Sequence, residues 1–102
     1  MSNAIQTSTD GNTTTIRING KFDFSNHGEF SAAYRNTKDP GMDYCIDLSQ
    51  VSYLDSSALG MLLMLREHAN SHNGNVIIKG PSEEILKLLT VSSFDKIFTI
   101  KH

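Results

Sequence analysis

Between Tyr44 and Leu63 the chain changes its hydrophobic period once, and Asp55-Ser56-Ser57 sits at the change. Upstream, Tyr44-Cys45-Ile46-Asp47-Leu48 is a short apolar, β-prone run and predicts a strand over roughly 44–48. Downstream, apolar residues return at helical spacing from Ala58 onward. Asp and Ser are helix-capping residues. A strand that feeds a capped helix presents its hydroxyls at a helix N-terminus. Backbone N–H groups there lack partners, and the helix dipole favours negative charge. A phosphate on such a hydroxyl would be held, not repelled.

The flanking sequence supplies further strands and helices. Ile5-Gln6-Thr7-Ser8-Thr9 and Thr13-Thr14-Thr15-Ile16-Arg17-Ile18 are rich in β-branched residues and bracket Asp10-Gly11-Asn12, which predicts an N-terminal hairpin. Ile16 and Ile18 alternate with Arg17, so one face of that strand is expected to be buried, and Gly20 is expected to end it. Ser25 and Asn26 are candidate caps for a helix through about Thr37, with a stripe of Phe30, Ala33 and Tyr34. Lys38-Asp39-Pro40-Gly41 would stop it. The helix after the capping triplet is predicted over Ser56 to about His72, closed by Asn73-Gly74. Val76-Ile77-Ile78 reads as a strand covered on both faces. Ser82 would cap a helix carrying Ile85, Leu86, Leu88 and Leu89, and Ile97-Phe98-Thr99-Ile100 would form a last strand. Strands alternating with helices predict an α/β fold: a mixed, largely parallel sheet with right-handed crossovers and helices packed against it.

A chain of 102 residues reads as one domain, residues 1–102. Its 38% apolar and 20% charged residues suit a soluble globular protein. The net charge of −2, with no basic block, gives no reason to expect nucleic-acid binding. No run is apolar enough to span a bilayer and no signal peptide is evident, so the expectation is a cytoplasmic protein without a membrane role. Cys45 lies in an apolar run and is expected to be a buried structural thiol. His68 and His72 have a spacing that can bind zinc, but no third ligand is apparent, and both are expected to be solvated. No metal or other cofactor is expected. There is no nucleophile elbow, Walker loop or dinucleotide fingerprint, so the sequence offers no enzyme signature. The early acidic cluster of a response-regulator receiver is absent as well.

Stepping about 100° per residue sorts the helix after Ser56 into faces. Ala58, Leu62, Leu65 and Ala69 form the core seam, flanked by Leu59 and Leu63 on one side and Met61 on the other. Ser57, Gly60 and Met64 fall on the outer side, with Met61 at its edge. That set has no charge, two methionines and a helix-interior glycine, which costs about 1 kcal/mol against alanine. It reads as a docking surface beside the capping triplet, against the plainer alternative that Met64 lies on a neighbouring loop.

Asp55-Ser56-Ser57-Ala58-Leu59-Gly60, after Val51-Ser52-Tyr53-Leu54, resembles the Asp-Ser-Ser/Thr-Gly-Leu-Gly signature of STAS domains. The nearer likeness is to the single-domain bacterial anti-sigma factor antagonists. Ile18-Asn19-Gly20-Lys21-Phe22-Asp23, Asn75-Val76-Ile77-Ile78-Lys79-Gly80 and Ile85 to Asp95 extend the resemblance over nearly the whole chain. Ala58 departs from it, standing where the family usually has its first glycine.

The resemblance implies the STAS fold and a phosphorylation-controlled protein switch that is not an enzyme. Ser56 would be phosphorylated by a serine-kinase anti-sigma factor, and a PP2C-type phosphatase would restore it. Ser57 is the alternative acceptor, and a plain N-cap role is the alternative for Ser56. The unphosphorylated form would bind the kinase and the phosphorylated form release it. Asp23 matches a family aspartate that would orient the hydroxyl or the kinase; a turn residue is the alternative. Joined to the helix-wheel patch of Ser57, Gly60, Met61 and Met64, the expected partner surface also takes in Phe22, Asp23, Phe24, Ser25, Asn26 and Asp55. Two other outputs stay open: a STAS switch acting on a non-sigma partner such as a biofilm or signalling regulator, and a STAS module that binds a small ligand or nucleotide.

Overall fold

The computed structural model describes residues 4–35 and 40–102. The expected helix end near Thr37 and the stop at Lys38-Asp39 lie outside them. The strands are β1 (Ile5–Asp10), β2 (Thr13–Phe22), β3 (Asp43–Leu54), β4 (Val76–Lys79) and β5 (Thr99–Lys101). The helices are α1 (His27–Arg35), α2 (Ser56–Ser71) and α3 (Glu83–Val91), with 3-10 turns at Phe24–Asn26 and Phe94–Lys96. The five strands form one sheet in the order β1-β2-β3-β4-β5. β1 and β2 pair antiparallel as the expected hairpin, and every later pair is parallel.

That order explains where the core lies. Each parallel crossover steps the same way across the sheet. Crossovers of one hand then carry every helix to the same face. Ile16, Ile18, Tyr44, Ile46, Leu48, Val76 and Ile78 are buried on the helix side, against Ala58, Leu62, Leu65, Ile85 and Leu89. On the other face, Thr15, Cys45, Ile77 and Thr99 form one row, and Arg17, Asp47, Lys79 and Lys101 the next. These residues are exposed or half-buried. Two expectations are corrected as a result. Among the described residues β4 is covered on one face only, and Cys45 is a half-exposed thiol instead of a buried one.

β2 and β3 run further than the sequence suggests. β2 passes through Gly20, which takes φ +80, and continues to Phe22. β3 extends from the expected Leu48 to Leu54. The register slips between Arg17 and Asn19 and again between Gly20 and Lys21, each time with an extra residue on β3. Each slip is a bulge. The buried positions of β3 therefore fall three apart, at Leu48, Val51 and Leu54, and the alternation that marks a strand is lost.

α2 ends as a Schellman motif: Gly74 N–H donates to the Ala69 carbonyl at 2.8 Å and Asn73 N–H to the Asn70 carbonyl at 3.2 Å. Asn73 takes the left-handed φ of 62. Gly74 is needed for closeness, because a Cβ there would run into the Met42 carbonyl oxygen. Ser82 caps α3 as expected, its Oγ accepting from the Ile85 N–H at 3.3 Å. The last strand starts two residues later than expected: Ile97 and Phe98 precede it, and buried Phe98 stacks on Phe94 at 5.3 Å.

Candidate functional site

β2 and β3 end side by side, with Phe22 opposite Leu54. Each strand then turns at once into helical structure, and an aspartate makes both turns. Asp23 is in extended conformation, and its Oδ1 accepts from the Ser25 N–H at 2.9 Å and the Ser25 hydroxyl at 2.5 Å. Its own N–H donates to Asn26 Oδ1 at 2.9 Å, which completes a reciprocal capping box. Asp55 Oδ1 accepts from the Ala58 N–H at 3.2 Å and the Ser57 hydroxyl at 2.6 Å. Two Asp-x-Ser caps thus stand together at the carboxyl ends of adjacent parallel strands, where open α/β sheets place their sites. The caps expected at Ser25 and Asn26 are corrected: the side-chain cap is Asp23, at the start of the 3-10 turn Phe24–Asn26 that runs into α1, and Asn26 is its returning partner and is buried.

The Ser57 hydroxyl and the Ala58 N–H hold the Asp55 carboxyl below its ordinary range. Asp55 is therefore an anion at neutral pH with both bonds committed to the cap. The two serines beside it differ. Ser57 is half-buried and its hydroxyl is engaged. Ser56 is exposed at the first position of the helix, and its hydroxyl makes no hydrogen bond among the described residues.

The expected partner surface divides. Phe24 is 66% exposed and stacks on His27 at 5.0 Å. Ser25 is exposed, and Asp23 and Asp55 are partly so. Met64 is 58% exposed, and a Cβ on Gly60 would meet nothing within 4 Å. Phe22, Asn26 and Met61 are corrected: all three are buried. Phe22 packs on Phe30 at 5.3 Å. Met61 belongs to the core because α2 turns that edge of its wheel toward the sheet.

Sequence reasoning missed the groove between α1 and α2. It has a volume of about 510 Å³ and is lined by His27, Ser31, Tyr34 and Arg35 from α1, and Met64, Glu67, His68 and Ser71 from α2. His68 is not a solvated side chain as expected. It is half-buried, edge-on to Tyr34 at 5.0 Å and 4.7 Å from His72. No local pattern marked it: Tyr34 belongs to the apolar stripe of α1, and only the packing of α1 against α2 brings it onto His68. Among the described residues no group of three His, Cys, Asp or Glu side chains is placed to hold a metal. Nor is any helix among them long and apolar enough to cross a membrane.

A STAS-domain family model, described as Mlab, STAS domain, matches residues 5–100. The chain belongs to the STAS-domain family. A Pseudomonas aeruginosa protein described as STAS-domain containing is 44% identical to this STAS chain over 93 residues, covering 91% of the chain and 92% of the relative. The fold matches a crystal structure of a candidate anti-sigma factor antagonist from Thermotoga maritima with TM-score 0.82 at 17% identity, over 98% of this chain and 87% of the other. It also matches the anti-sigma factor antagonist SpoIIAA in its unphosphorylated form, with TM-score 0.68 at 18% identity over 92% and 97% of the two chains. The phosphorylated form of the Bacillus SpoIIAA gives 0.68 at 20% identity over 95% and 90%. The mixed five-stranded sheet is that STAS fold.

Proposed function

We propose that this STAS domain is an anti-sigma factor antagonist that works as a phosphorylation-controlled binding switch in the cytoplasm. The observation that carries the reading is the exposed, uncommitted Ser56 hydroxyl at the N-terminus of α2, beside a Ser57 hydroxyl tied to Asp55. In the switch, a partner serine kinase, itself the anti-sigma factor, presents ATP. Ser56 Oγ attacks the γ-phosphorus, its proton passes to a base on the kinase, and ADP leaves. On a PP2C-type phosphatase water attacks the phosphorus, the bond to Ser56 Oγ breaks, the oxygen takes a proton, and inorganic phosphate is released. This domain supplies the acceptor and the docking surface, and catalyses neither step.

Electrostatics give the switch its direction. Phosphate adds about −1.5 to −2 charges at neutral pH. It arrives next to the Asp55 carboxylate, on the surface bearing Phe24, Ser25, Gly60 and Met64. The helix N-terminus offsets up to about 2 kcal/mol of the cost, so the fold survives. A partner surface closing on the same patch would have to desolvate the new charge, so docking is lost. Ser56→Ala should bind the kinase partner constitutively, and Ser56→Asp should bind it at least about tenfold more weakly, roughly 1.4 kcal/mol. Calorimetric titration of the two variants against the kinase checks this, and equal affinities would contradict it.

A further inference from the structure

The outer edge of β1 is an open hydrogen-bonding template. The Asn19 N–H donates to the Ala4 carbonyl at 2.8 Å, and the β1–β2 register runs without a slip from Ile5 opposite Ile18 to Asp10 opposite Thr13. In an antiparallel ladder, residues that bond the neighbour alternate with residues whose N–H and C=O face away. Ala4, Gln6, Ser8 and Asp10 therefore bond β2. Ile5, Thr7 and Thr9 direct their backbone groups outward, where no hydrogen bond meets them among the described residues.

Edge strands normally carry a charge, a proline, a bulge or a cover that blocks pairing. β1 has no charge before Asp10, no proline and no bulge, and all of it except Ile5 is exposed. The opposite edge differs: β5 is three residues long and ends in Lys101.

We propose that β1 pairs antiparallel with β1 of a second copy of this chain, forming a two-fold dimer with one continuous sheet. The edge is complementary to itself. Centring the axis on Thr7 sets Thr7 against Thr7 of the second copy, Ile5 against Thr9, and Gln6 against Ser8. Every pair keeps its side chains on the same face of the sheet, and the three outward-facing residues of each copy exchange about six backbone hydrogen bonds. Thr7 meets its equal and Ile5 meets Thr9 as β-branched cross-strand pairs on the helix side. Asp10 falls opposite Ala4, so no like charges face each other. The edge carries none of the residues assigned to the phospho-switch, so the dimer stands or falls separately from it.

Sedimentation equilibrium of the full chain over a concentration series tests the proposal. The average mass should rise toward twice the chain mass and stop there. Thr7→Pro removes an outward donor without touching the internal ladder. Thr7→Lys places two cations directly opposite each other on the axis. Both should weaken association at least tenfold while the melting temperature of the monomer and phosphorylation at Ser56 stay unchanged. Should one variant fail to fold, the other carries the test. A monomer persisting to about 1 mM, growth beyond the dimer, or association of both folded variants at wild-type strength would each overturn the proposal.

Discussion

Gly60 separates stability from binding at a single residue. It lies inside α2, where glycine costs about 1 kcal/mol against alanine, and among the described residues a Cβ there would meet nothing within 4 Å beyond its own helix turn. Gly60→Ala should therefore raise stability by about 1 kcal/mol in chemical denaturation while weakening docking of the kinase partner. A variant that is more stable and binds as well as wild type would take Gly60 out of the partner surface. Asp55 carries a pH signature. Its native pKa is held down by the Ser57 hydroxyl and the Ala58 N–H, so its stabilisation is complete at neutral pH. That contribution is lost as the pH falls through the depressed native value, below the ordinary carboxylate range near 3.9. Melting curves between neutral and strongly acidic pH should show the loss, and Asp55→Ala should flatten it. At this scale the sequence was legible around Asp55-Ser56-Ser57, because capping chemistry is local. It misled by two or three residues at Asp23, because Ser25 and Asn26 are also good caps and only the backbone shows that a 3-10 turn capped by Asp23 precedes α1. Phe22 and Met61 were misplaced for a different reason. Their burial depends on how β2 and α2 sit against the rest of the fold, which no local pattern carries.

At the scale of the element, β3 shows what periodicity can and cannot reveal. Its first half alternates and was visible as a strand, whereas its second half, with two bulges, reads as a loop. Those bulges fix the site, because they deliver Leu54 opposite Phe22 and set the two aspartate caps side by side. The end of α2 was legible as Asn73-Gly74, but the division of labour was not. Asn73 takes the left-handed conformation and Gly74 provides the close approach to Met42. Gly74→Ala should consequently destabilise by about 1–3 kcal/mol or more, since a backbone carbonyl cannot move aside as a side chain can. Asn73→Gly should be nearly neutral. Thermal unfolding of both variants checks the asymmetry; equal, small effects would contradict the close approach.

At the scale of the molecule, the strand order leaves one face of the sheet open among the described residues, and Cys45 reports on that face. Its thiol pKa is raised, chiefly by desolvation, yet the side chain is half-exposed in the row with Thr15 and Ile77. A thiol reagent at neutral pH should modify Cys45 in the folded protein, more slowly than in denaturant but without global unfolding. Modification only at the unfolding rate would mean that the face is covered. The α/β class, the hairpin and the alternation of elements were readable from hydrophobic period and turn residues. The open face was hidden in β4, where Val76-Ile77-Ile78 is apolar throughout although Ile77 is only half-buried. The switch itself is tested most directly by peptide mass spectrometry of the protein purified from cells that express it, with and without phosphatase treatment. One phosphate on Ser56 that phosphatase removes, with Ser57 unmodified, is the expected result. Phosphate on Ser57 alone, or none under any growth condition and none after incubation with the partner kinase and ATP, would contradict it.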